Sequence, residues 1–398
     1  LSNASFPVIL NGAGVVIGDA VAESAALAER LDAPVCSGYQ HNDAFPGSHP
    51  LAVGPLGYNG SKAAMELIAQ ADVVLALGTR LNPFSTLPGY GIDYWPKNAK
   101  IIQVDINPDR IGLTKTITVG ICGDAKQVAR QLLEQLAEGA GNPGREERKA
   151  LIHRTKSAWL QTLSSLDHEE DDEGTSWNVE ARERDKDRMS PRQAWRAIQA
   201  GLPQDAIIST DIGNNCAIGN AYPTFEKSRK YLAPGMFGPC GYGFPSIIGA
   251  KIGCPDVPVF GFAGDGAFGI SMNEMSSIGR EQWPAITMVV FRNFQWGAEK
   301  RNTTLWYDNN FVGTELDPKL SYAKIAEGCG FKGVTVETQD DLTAAVRTAA
   351  EDQGRGITTF IEVVLNQELG EPFRRDAMKK PVSVAGINRS DMRPQQQA

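Results

Sequence analysis

The chain has 398 residues, 42% of them hydrophobic, and it carries a formal net charge of −8 at pH 7. This acidic balance argues against a nucleic-acid partner, because affinity for a phosphate backbone requires clustered cationic side chains. No apolar run reaches the roughly 18 residues of a membrane span, and no secretory signal opens the sequence, so we expect a cytoplasmic protein with no membrane partner. The length and the apolar fraction predict two or more domains.

The first third of the chain alternates apolar strands with amphipathic helices. We predict strands at residues 7–10, 33–36, 73–77 and 100–106, and a helix at residues 20–31. Because this alternation is typical of a parallel, doubly wound sheet, we predict a Rossmann-like α/β domain over residues 1–137.

A glycine-rich turn follows the first predicted strand. Gly12 and Gly14 match the start of a dinucleotide-binding pattern, but the third glycine, Gly18, falls one position late. No acidic residue ends the short second strand, where a nucleotide ribose would need one. A structural turn is therefore the better interpretation, and a nucleotide or flavin in this domain remains the alternative.

The composition changes between residues 138 and 189. A charged helix pattern leads to an acidic run at residues 167–173, which contains His168. Carboxylates without glycine punctuation or alternate spacing are more typical of a solvated, self-repelling linker than of a metal site. We therefore predict a charged linker, with no chemical role for His168.

A second α/β domain is predicted over residues 190–368. Ser190 can cap a helix whose first turn contains Pro191. Predicted strands follow at 206–210, 257–262, 286–291 and 357–365, with helices at 192–200, near Ser271, at 322–326 and at 340–350. This alternation again predicts a parallel sheet. Residues 369–398 are predicted to form a polar, loose tail.

Polar side chains follow two neighbouring strands of this second domain. Asp265 ends one strand pattern, and Asn293 ends the next. Because parallel strands present their carboxyl ends at one edge of a sheet, we expect these side chains to face one site. A carboxylate and an amide oxygen suit a hard cation such as magnesium, and the flanking Gly264 and Gly266 would let backbone N–H groups approach a phosphate. The pair therefore predicts a metal-diphosphate site.

These motifs resemble the thiamine diphosphate enzymes of the acetolactate synthase and pyruvate decarboxylase type. The segment that begins at Gly264 is similar to the start of their metal-binding motif, and Asn293 to its closing asparagine, although Arg292 stands where relatives have a first asparagine. The resemblance implies thiamine diphosphate and Mg²⁺ as cofactors. It also implies that Asp265, Asn293 and the backbone carbonyl of Gln295 are the metal ligands.

The same resemblance implies the rest of the cofactor site. The segment around Gly238 and Cys240 is similar to the one that grips the aminopyrimidine ring, with a smaller side chain at Cys240 than relatives have. Residues 213–215 stand where relatives contact the far end of the diphosphate. The residues implied to bind the cofactor are Gly213, Asn214, Asn215, Gly238, Cys240, Gly264, Asp265, Gly266, Ala267, Asn293, Gln295, Trp296 and Gly297.

A narrower resemblance extends over both domains. Residues 78–84, 94–100, 236–243 and 291–300 are similar to the sulfoacetaldehyde acetyltransferases. The resemblance implies that sulfoacetaldehyde and inorganic phosphate are converted to acetyl phosphate and sulfite. Both substrates are anions, which guanidinium and ammonium groups can bind. Our candidates are Arg374, Arg375, Lys300 and Arg301, each of which could instead be a solvent-facing charge or a member of an ion pair.

The resemblance also carries expectations about the whole enzyme. Relatives have an N-terminal pyrimidine-binding domain whose glutamate activates the cofactor, and this chain starts close to the first strand of their middle domain. We therefore expect no activating residue within the chain, a crippled activity for the chain by itself, and a homodimer or homotetramer of the complete protein. The alternatives are an acetolactate-synthase-like carboligase with FAD in the first domain, and a non-catalytic dinucleotide-binding module.

Overall fold

Two parallel sheets with flanking helices account for the fold. In a computed structural model, which describes residues 1–136, 144–166, 183–235, 237–279, 283–307 and 310–368, each sheet has six strands. The α/β fold class predicted from the sequence is confirmed.

The first sheet is built from the amino-terminal part of the chain. Its strands are Pro7–Asn11 (β1), Val35–Ser37 (β2), Ala52–Pro55 (β3), Val73–Leu77 (β4), Lys100–Asp105 (β5) and Val119–Cys122 (β6). Its α-helices are Ala13–Ile17 (α1), Val21–Leu31 (α2), Lys62–Ile68 (α3), Pro83–Thr86 (α4) and Ala125–Gln135 (α5), with 3₁₀ turns at Asn42–Ala44 and Pro108–Arg110. The strand order is β3-β2-β1-β4-β5-β6, so the winding reverses between β1 and β4.

The second sheet follows a long helix, Arg145–Leu166 (α6). Its strands are Ile207–Thr210 (β7), Tyr231–Leu232 (β8), Val259–Gly264 (β9), Thr287–Arg292 (β10), Lys332–Val336 (β11) and Thr359–Val364 (β12). Its α-helices are Pro191–Gly201 (α7), Asn214–Ile218 (α8), Gly243–Gly253 (α9), Asp265–Ser271 (α10), Met275–Ile278 (α11), Gly297–Trp306 (α12), Tyr322–Gly328 (α13) and Gln339–Gly354 (α14), with 3₁₀ turns at Gly219–Ala221 and Met272–Glu274. The order β11-β12-β10-β9-β7-β8 places the reversal between β7 and β9, where open α/β sheets bind ligands.

Helix α7 begins where its sequence predicts. The Ser190 side chain accepts the backbone N–H of Gln193, and the Gln193 side chain accepts the N–H of Ser190 at 2.9 Å. This reciprocal capping box satisfies two N–H groups that a helix end otherwise leaves unpaired. Pro191 occupies the first turn, where its missing N–H costs nothing.

The helix predicted near Ser271 is placed wrongly. Helix α10 begins at Asp265 and ends at Ser271. Gly266 and Gly269 within this helix are weak helix formers, so the helix start is hidden in the sequence. Asp265 therefore belongs to the first turn of a helix and not to a loop before one.

Helix α6 connects the two domains. Near its start, the buried Arg148 donates a hydrogen bond of 3.0 Å to the carbonyl of Leu31 in the first domain. Farther along, Trp159 is buried within an apolar cluster of the second domain. Part of the segment predicted as a linker is thus a helix packed against both domains. The acidic run at residues 167–173, including His168, lies outside the described residues.

A polar seam also joins the domains, formed by Asn42, Asp43 and Asn220. Asn42 Nδ2 donates to the carbonyls of Asn220 and Pro223, both at 2.9 Å. Asp43 Oδ2 accepts from two successive backbone N–H groups that begin at Lys230. All three seam residues are buried. Buried hydrogen bonds of this kind join the segment after β2 to the start of β8 and fix the two domains relative to each other.

His41, beside this seam, makes the stability of the protein depend on pH. Burial, with a smaller contribution from the charge of Arg80, lowers the pKa of His41 from 6.5 to about 4. As the pH falls below 6.5, His41 therefore binds a proton in the unfolded chain while it stays neutral in the folded protein. We expect a loss of about 2 kcal/mol of unfolding free energy between about pH 7 and pH 5 from this residue. Urea unfolding of His41→Gln should lack this loss, and an equal pH dependence in the variant and the wild type would contradict it.

Candidate cofactor and metal site

Asp265 and Asn293 lie together at the carboxyl edge of the second sheet. Strands β9 and β10 are neighbours, with Gly264 opposite Phe291, so the two polar residues follow the ends of adjacent strands. Each is 1% exposed. The expected juxtaposition of the two strand ends is confirmed.

The two carboxylate oxygens of Asp265 have different surroundings. Oδ2 accepts from Arg292 Nη1 at 2.9 Å and from the backbone N–H of Phe294 at 2.8 Å. Oδ1 accepts from the N–H of Gly266 at 2.9 Å. Burial raises the pKa of Asp265 to about 6, against the opposing effect of Arg292. Because a carboxylate oxygen has two acceptor positions, Oδ1 can still bind a cation.

Asn293 offers a buried oxygen beside this carboxylate. Its Oδ1 makes no hydrogen bond to a described residue, while its Nδ2 lies 3.5 Å from Asn215 Oδ1. A buried amide oxygen without a donor costs free energy unless a ligand satisfies it. The oxygen therefore fits a cation that Asp265 would share.

The backbone of Gln295 also has a carbonyl available. Gln295 forms a bridge with Glu315, and the flanking hydrogen bonds run from Leu316 N–H to the Phe294 carbonyl and from Trp296 N–H to the Thr314 carbonyl. In such an antiparallel pair the residue between two hydrogen-bonded neighbours points its own carbonyl away from the partner segment. Among the described residues, no group of three or more His, Cys, Asp or Glu side chains could hold a metal, so a cation here would depend on mixed oxygen donors.

Arg292 is a buried residue that holds the Asp265 carboxylate in place. It is 1% exposed, and besides Asp265 it donates to the carbonyls of Asp317 and Leu320, with Glu362 Oε1 at 3.6 Å. Its guanidinium also lies over the ring of Phe294, at 4.4 Å from the centroid. Arg292 thus fixes the orientation of the Asp265 carboxylate.

Two other loops meet the same edge. Gly213 has a φ of +131°, and a Cβ there would meet nothing within 4 Å. A Cβ on Gly297 would lie 3.0 Å from Asn214 Nδ2, so the glycine lets the two loops approach each other. Gly266 is predicted to let backbone N–H groups approach a phosphate. In the structure, packing alone already requires this glycine, because a Cβ there would lie 2.8 Å from the indole of Trp296.

Asp211 is a site residue that the sequence reasoning missed. It follows β7 as Asp265 follows β9, and it is fully buried. Its Oδ1 accepts the N–H of Gly241 at 3.0 Å, and its Oδ2 accepts the N–H of Gly243 at 2.7 Å. These bonds hold the segment that contains Gly238 and Cys240 at the edge of the sheet. A carboxylate directly after a buried strand was the signal that could have identified it.

Cys240 lies in the segment that Asp211 holds. Its side chain is partly buried, and burial raises the pKa of the thiol, with smaller contributions from the charges of Asp211 and Glu299. The thiol is therefore protonated at neutral pH and acts as a small apolar group.

Comparisons with known proteins agree with this arrangement. Residues 1–132 match the family described as thiamine pyrophosphate enzyme, central domain, and residues 211–363 match thiamine pyrophosphate enzyme, C-terminal TPP binding domain. A probable sulfoacetaldehyde acetyltransferase of Rhizobium meliloti is 82% identical over 99% of this chain and 67% of its own length. The chain belongs to the sulfoacetaldehyde acetyltransferase family of thiamine pyrophosphate enzymes. The resemblance predicted from the sequence is thus confirmed.

Two other relatives differ widely in their sequence identity to this chain. The sulfoacetaldehyde acetyltransferase of Roseovarius nubinhibens is 72% identical over 100% of the chain and 66% of its own length. A probable acetolactate synthase large subunit of Methanococcus aeolicus is 28% identical over 88% of the chain and 57% of its own length. The chain spans about two thirds of the length of the sulfoacetaldehyde acetyltransferases it matches. No helix among the described residues is long and apolar enough to cross a membrane.

Two of the cationic residues predicted to bind substrate, Lys300 and Arg301, are buried in this member of the family. Lys300 is 1% exposed and forms an ion pair with Glu315, with Gln367 Oε1 at 3.3 Å. Arg301 is fully buried, and its guanidinium lies 5.5 Å from the centroid of the Tyr58 ring. Neither is a solvent-facing charge. Arg374 and Arg375 lie outside the described residues.

Gly12 and Gly14 allow the turns after β1 and β4 to approach each other closely. A Cβ on Gly12 would lie 2.5 Å from the carbonyl oxygen of Gly78, and a Cβ on Gly14 would lie 2.7 Å from the Gly78 Cα. These approaches account for both glycines by the packing of the turns after β1 and β4, as the structural interpretation predicts. A cavity of about 640 Å³ lies beside them, lined in part by Arg80 and Arg110.

Proposed function

We propose that this chain provides the middle and diphosphate-binding parts of a sulfoacetaldehyde acetyltransferase, which converts sulfoacetaldehyde and phosphate to acetyl phosphate and sulfite. Its cofactors would be thiamine diphosphate and Mg²⁺. The observation that carries the proposal is the unsatisfied Asn293 Oδ1, buried beside the Asp265 carboxylate at the carboxyl ends of the neighbouring strands β10 and β9. Buried oxygen donors of this kind suit a magnesium ion that also binds phosphates.

The residues of the chain would divide the work of holding the cofactor. Asp265, Asn293 and the Gln295 carbonyl would bind the metal, and the loops at Gly213 and Gly297 would receive the diphosphate. Gly238 and Cys240, held by Asp211, would position the aminopyrimidine ring. When bound, thiamine diphosphate would supply the carbanion and the electron sink for breaking the carbon–sulfur bond of the substrate. The protein contributes position and fixed charge.

Sulfite release tests this proposal directly. Because the chain spans about two thirds of its relatives, turnover is assayed on a polypeptide extended to their full length. We expect sulfite and acetyl phosphate in equal amounts from sulfoacetaldehyde, and only when thiamine diphosphate, Mg²⁺ and phosphate are all present. Sulfite release that persists without phosphate would refute the assigned acceptor.

The competing carboligase makes a different prediction. An acetolactate-synthase-like enzyme would form acetolactate from pyruvate, and the purified protein would show a flavin absorption band. Relatives named acetolactate synthase share 28–30% identity with this chain, against 48–82% for those named sulfoacetaldehyde acetyltransferase. We therefore favour acetyl transfer over the carboligase reaction. We also propose that the protein is a homodimer or homotetramer whose subunits share the active site. Analytical ultracentrifugation would test the assembly.

A further inference from the structure

A small cavity lies between the two domains, next to the loop proposed to receive the diphosphate. Its volume is about 190 Å³. Gln40 and Tyr58 line it from the first domain, and Gly213, Asn214 and Gly238 line it from the second. Pockets for drug-sized ligands measure roughly 300–1,000 Å³, so this one suits a ligand of a few heavy atoms.

Gln40 presents an unpaired amide to this cavity. The residue is 1% exposed, and neither its Oε1 nor its Nε2 hydrogen-bonds to a described residue. The side chain of Asn214 is also buried and unpaired, but it belongs to the loop proposed to receive the diphosphate. Buried amides are nearly always paired, so an unpaired one that lines a cavity points to a ligand.

The position of Gln40 is fixed at a cost to the backbone. Its φ is +59°, in the left-handed region that side chains other than glycine rarely adopt. Its N–H donates to Asn220 Oδ1 at 3.1 Å, and Asn220 Nδ2 donates to the Tyr58 carbonyl at 3.1 Å. One buried asparagine thus holds two walls of the cavity. Strain that is kept at a buried polar residue is a mark of functional positions.

The charges around the cavity favour an anion. None of the described residues that line it is acidic. The buried guanidinium of Arg301 lies 5.5 Å from the centroid of the Tyr58 ring, which lines the cavity. Amide N–H donors beside a cation suit the oxygens of a sulfonate or a phosphate.

We propose that this cavity is an oxyanion subsite in which the Gln40 amide donates a hydrogen bond to a sulfonate or phosphate oxygen of a substrate bound beside the cofactor. The assignment rests on the proposed function, because both anions belong to that reaction. Gln40 would then be a specificity-determining residue contributed by the first domain.

Titration calorimetry tests this subsite without turnover. The polypeptide extended to the full length of its relatives, loaded with thiamine diphosphate and Mg²⁺, is titrated with inorganic phosphate and separately with 2-hydroxyethanesulfonate, an unreactive alcohol analogue of the aldehyde. Gln40→Leu should weaken binding of one anion about tenfold, as expected for the loss of one hydrogen bond to a charged group. Weakening confined to phosphate assigns the subsite to the acceptor, and weakening confined to the sulfonate assigns it to the aldehyde.

Gln40→Gly provides a second variant that should fold. Glycine adopts a positive φ without strain, so thermal unfolding should occur at or above the wild-type temperature while the anion affinity still falls. Gln70→Ala, on the exposed surface, is the matched control and should leave both affinities unchanged. The subsite is refuted by unchanged anion affinity in both Gln40 variants, by a wild type that binds neither anion, or by an equal loss of thiamine diphosphate affinity. Each of these results is independent of whether sulfite is released.

Discussion

Asp265→Ala should abolish the metal-dependent binding of thiamine diphosphate. Asp265 provides the charged oxygen among the proposed metal ligands, beside the neutral oxygens of Asn293 and Gln295. Removing a ligand should cost at least as much as removing its supporting partner, so we expect a loss on the order of a hundredfold in affinity when Mg²⁺ is present. Calorimetric titration with thiamine diphosphate, with and without Mg²⁺, measures this effect.

Two further variants separate metal binding from folding. Asp265→Asn keeps the size and one oxygen of the side chain, so it should stay folded and still lose most of the Mg²⁺ dependence. Asp256→Asn, an exposed carboxylate near the other end of β9, should behave as the wild type. If Asp265→Asn bound the cofactor with an undiminished Mg²⁺ effect, the metal would have to lie elsewhere.

Arg292→Leu should destabilise the protein more than any other single change at this site. The substitution leaves the Asp265 carboxylate and the nearby Glu362 carboxylate, 1% and 3% exposed, without their shared cation. Breaking a buried ion pair by removing one member costs about 3–5 kcal/mol. Urea unfolding of the apo protein at neutral pH would show this loss directly.

A second substitution tests the electrostatic cause of that loss. Glu362 accepts hydrogen bonds from the Ser321 hydroxyl and from the N–H groups of Tyr322 and Ala323, and Glu362→Gln keeps one acceptor oxygen there. In the Arg292→Leu background it removes one of the two unpaired charges, so we expect it to restore part of the stability. Arg292→Lys, which keeps the charge and loses the planar fork, should fall between wild type and leucine. A stability loss below about 1 kcal/mol for Arg292→Leu would show that the pair contributes little.

The regular elements could be predicted because their signals are local. Strand β4 is a continuous apolar run, β10 contains one at residues 288–291, and helix α7 has its capping residues within one turn of its start. The start of α10 was mispredicted for an equally local reason. Glycines that lower helix propensity occur inside it, and the contacts that stabilise it come from distant parts of the chain.

The site could be predicted only in part. Strand ends and glycine spacing indicated Asp265 and Asn293, since the topology of a parallel sheet brings its carboxyl ends together. Arg292 also pairs with Glu362, 70 residues farther along the chain, and no local pattern records such a pair. The burial of Lys300 and Arg301 was likewise invisible, because charged residues are usually exposed and only tertiary packing reveals the exceptions.

The seam between the domains has a consequence for which sequence changes the protein tolerates. Asn42 and Asp43 bind backbone groups of the second domain, so the side chains at Pro223, Lys230 and Tyr231 do not take part in these bonds. The side chain of Lys230, which is not buried, can therefore vary without loss of these hydrogen bonds, provided that proline, which has no N–H, is avoided there. The alignment of the two halves depends instead on a few short polar side chains, which have little freedom to vary.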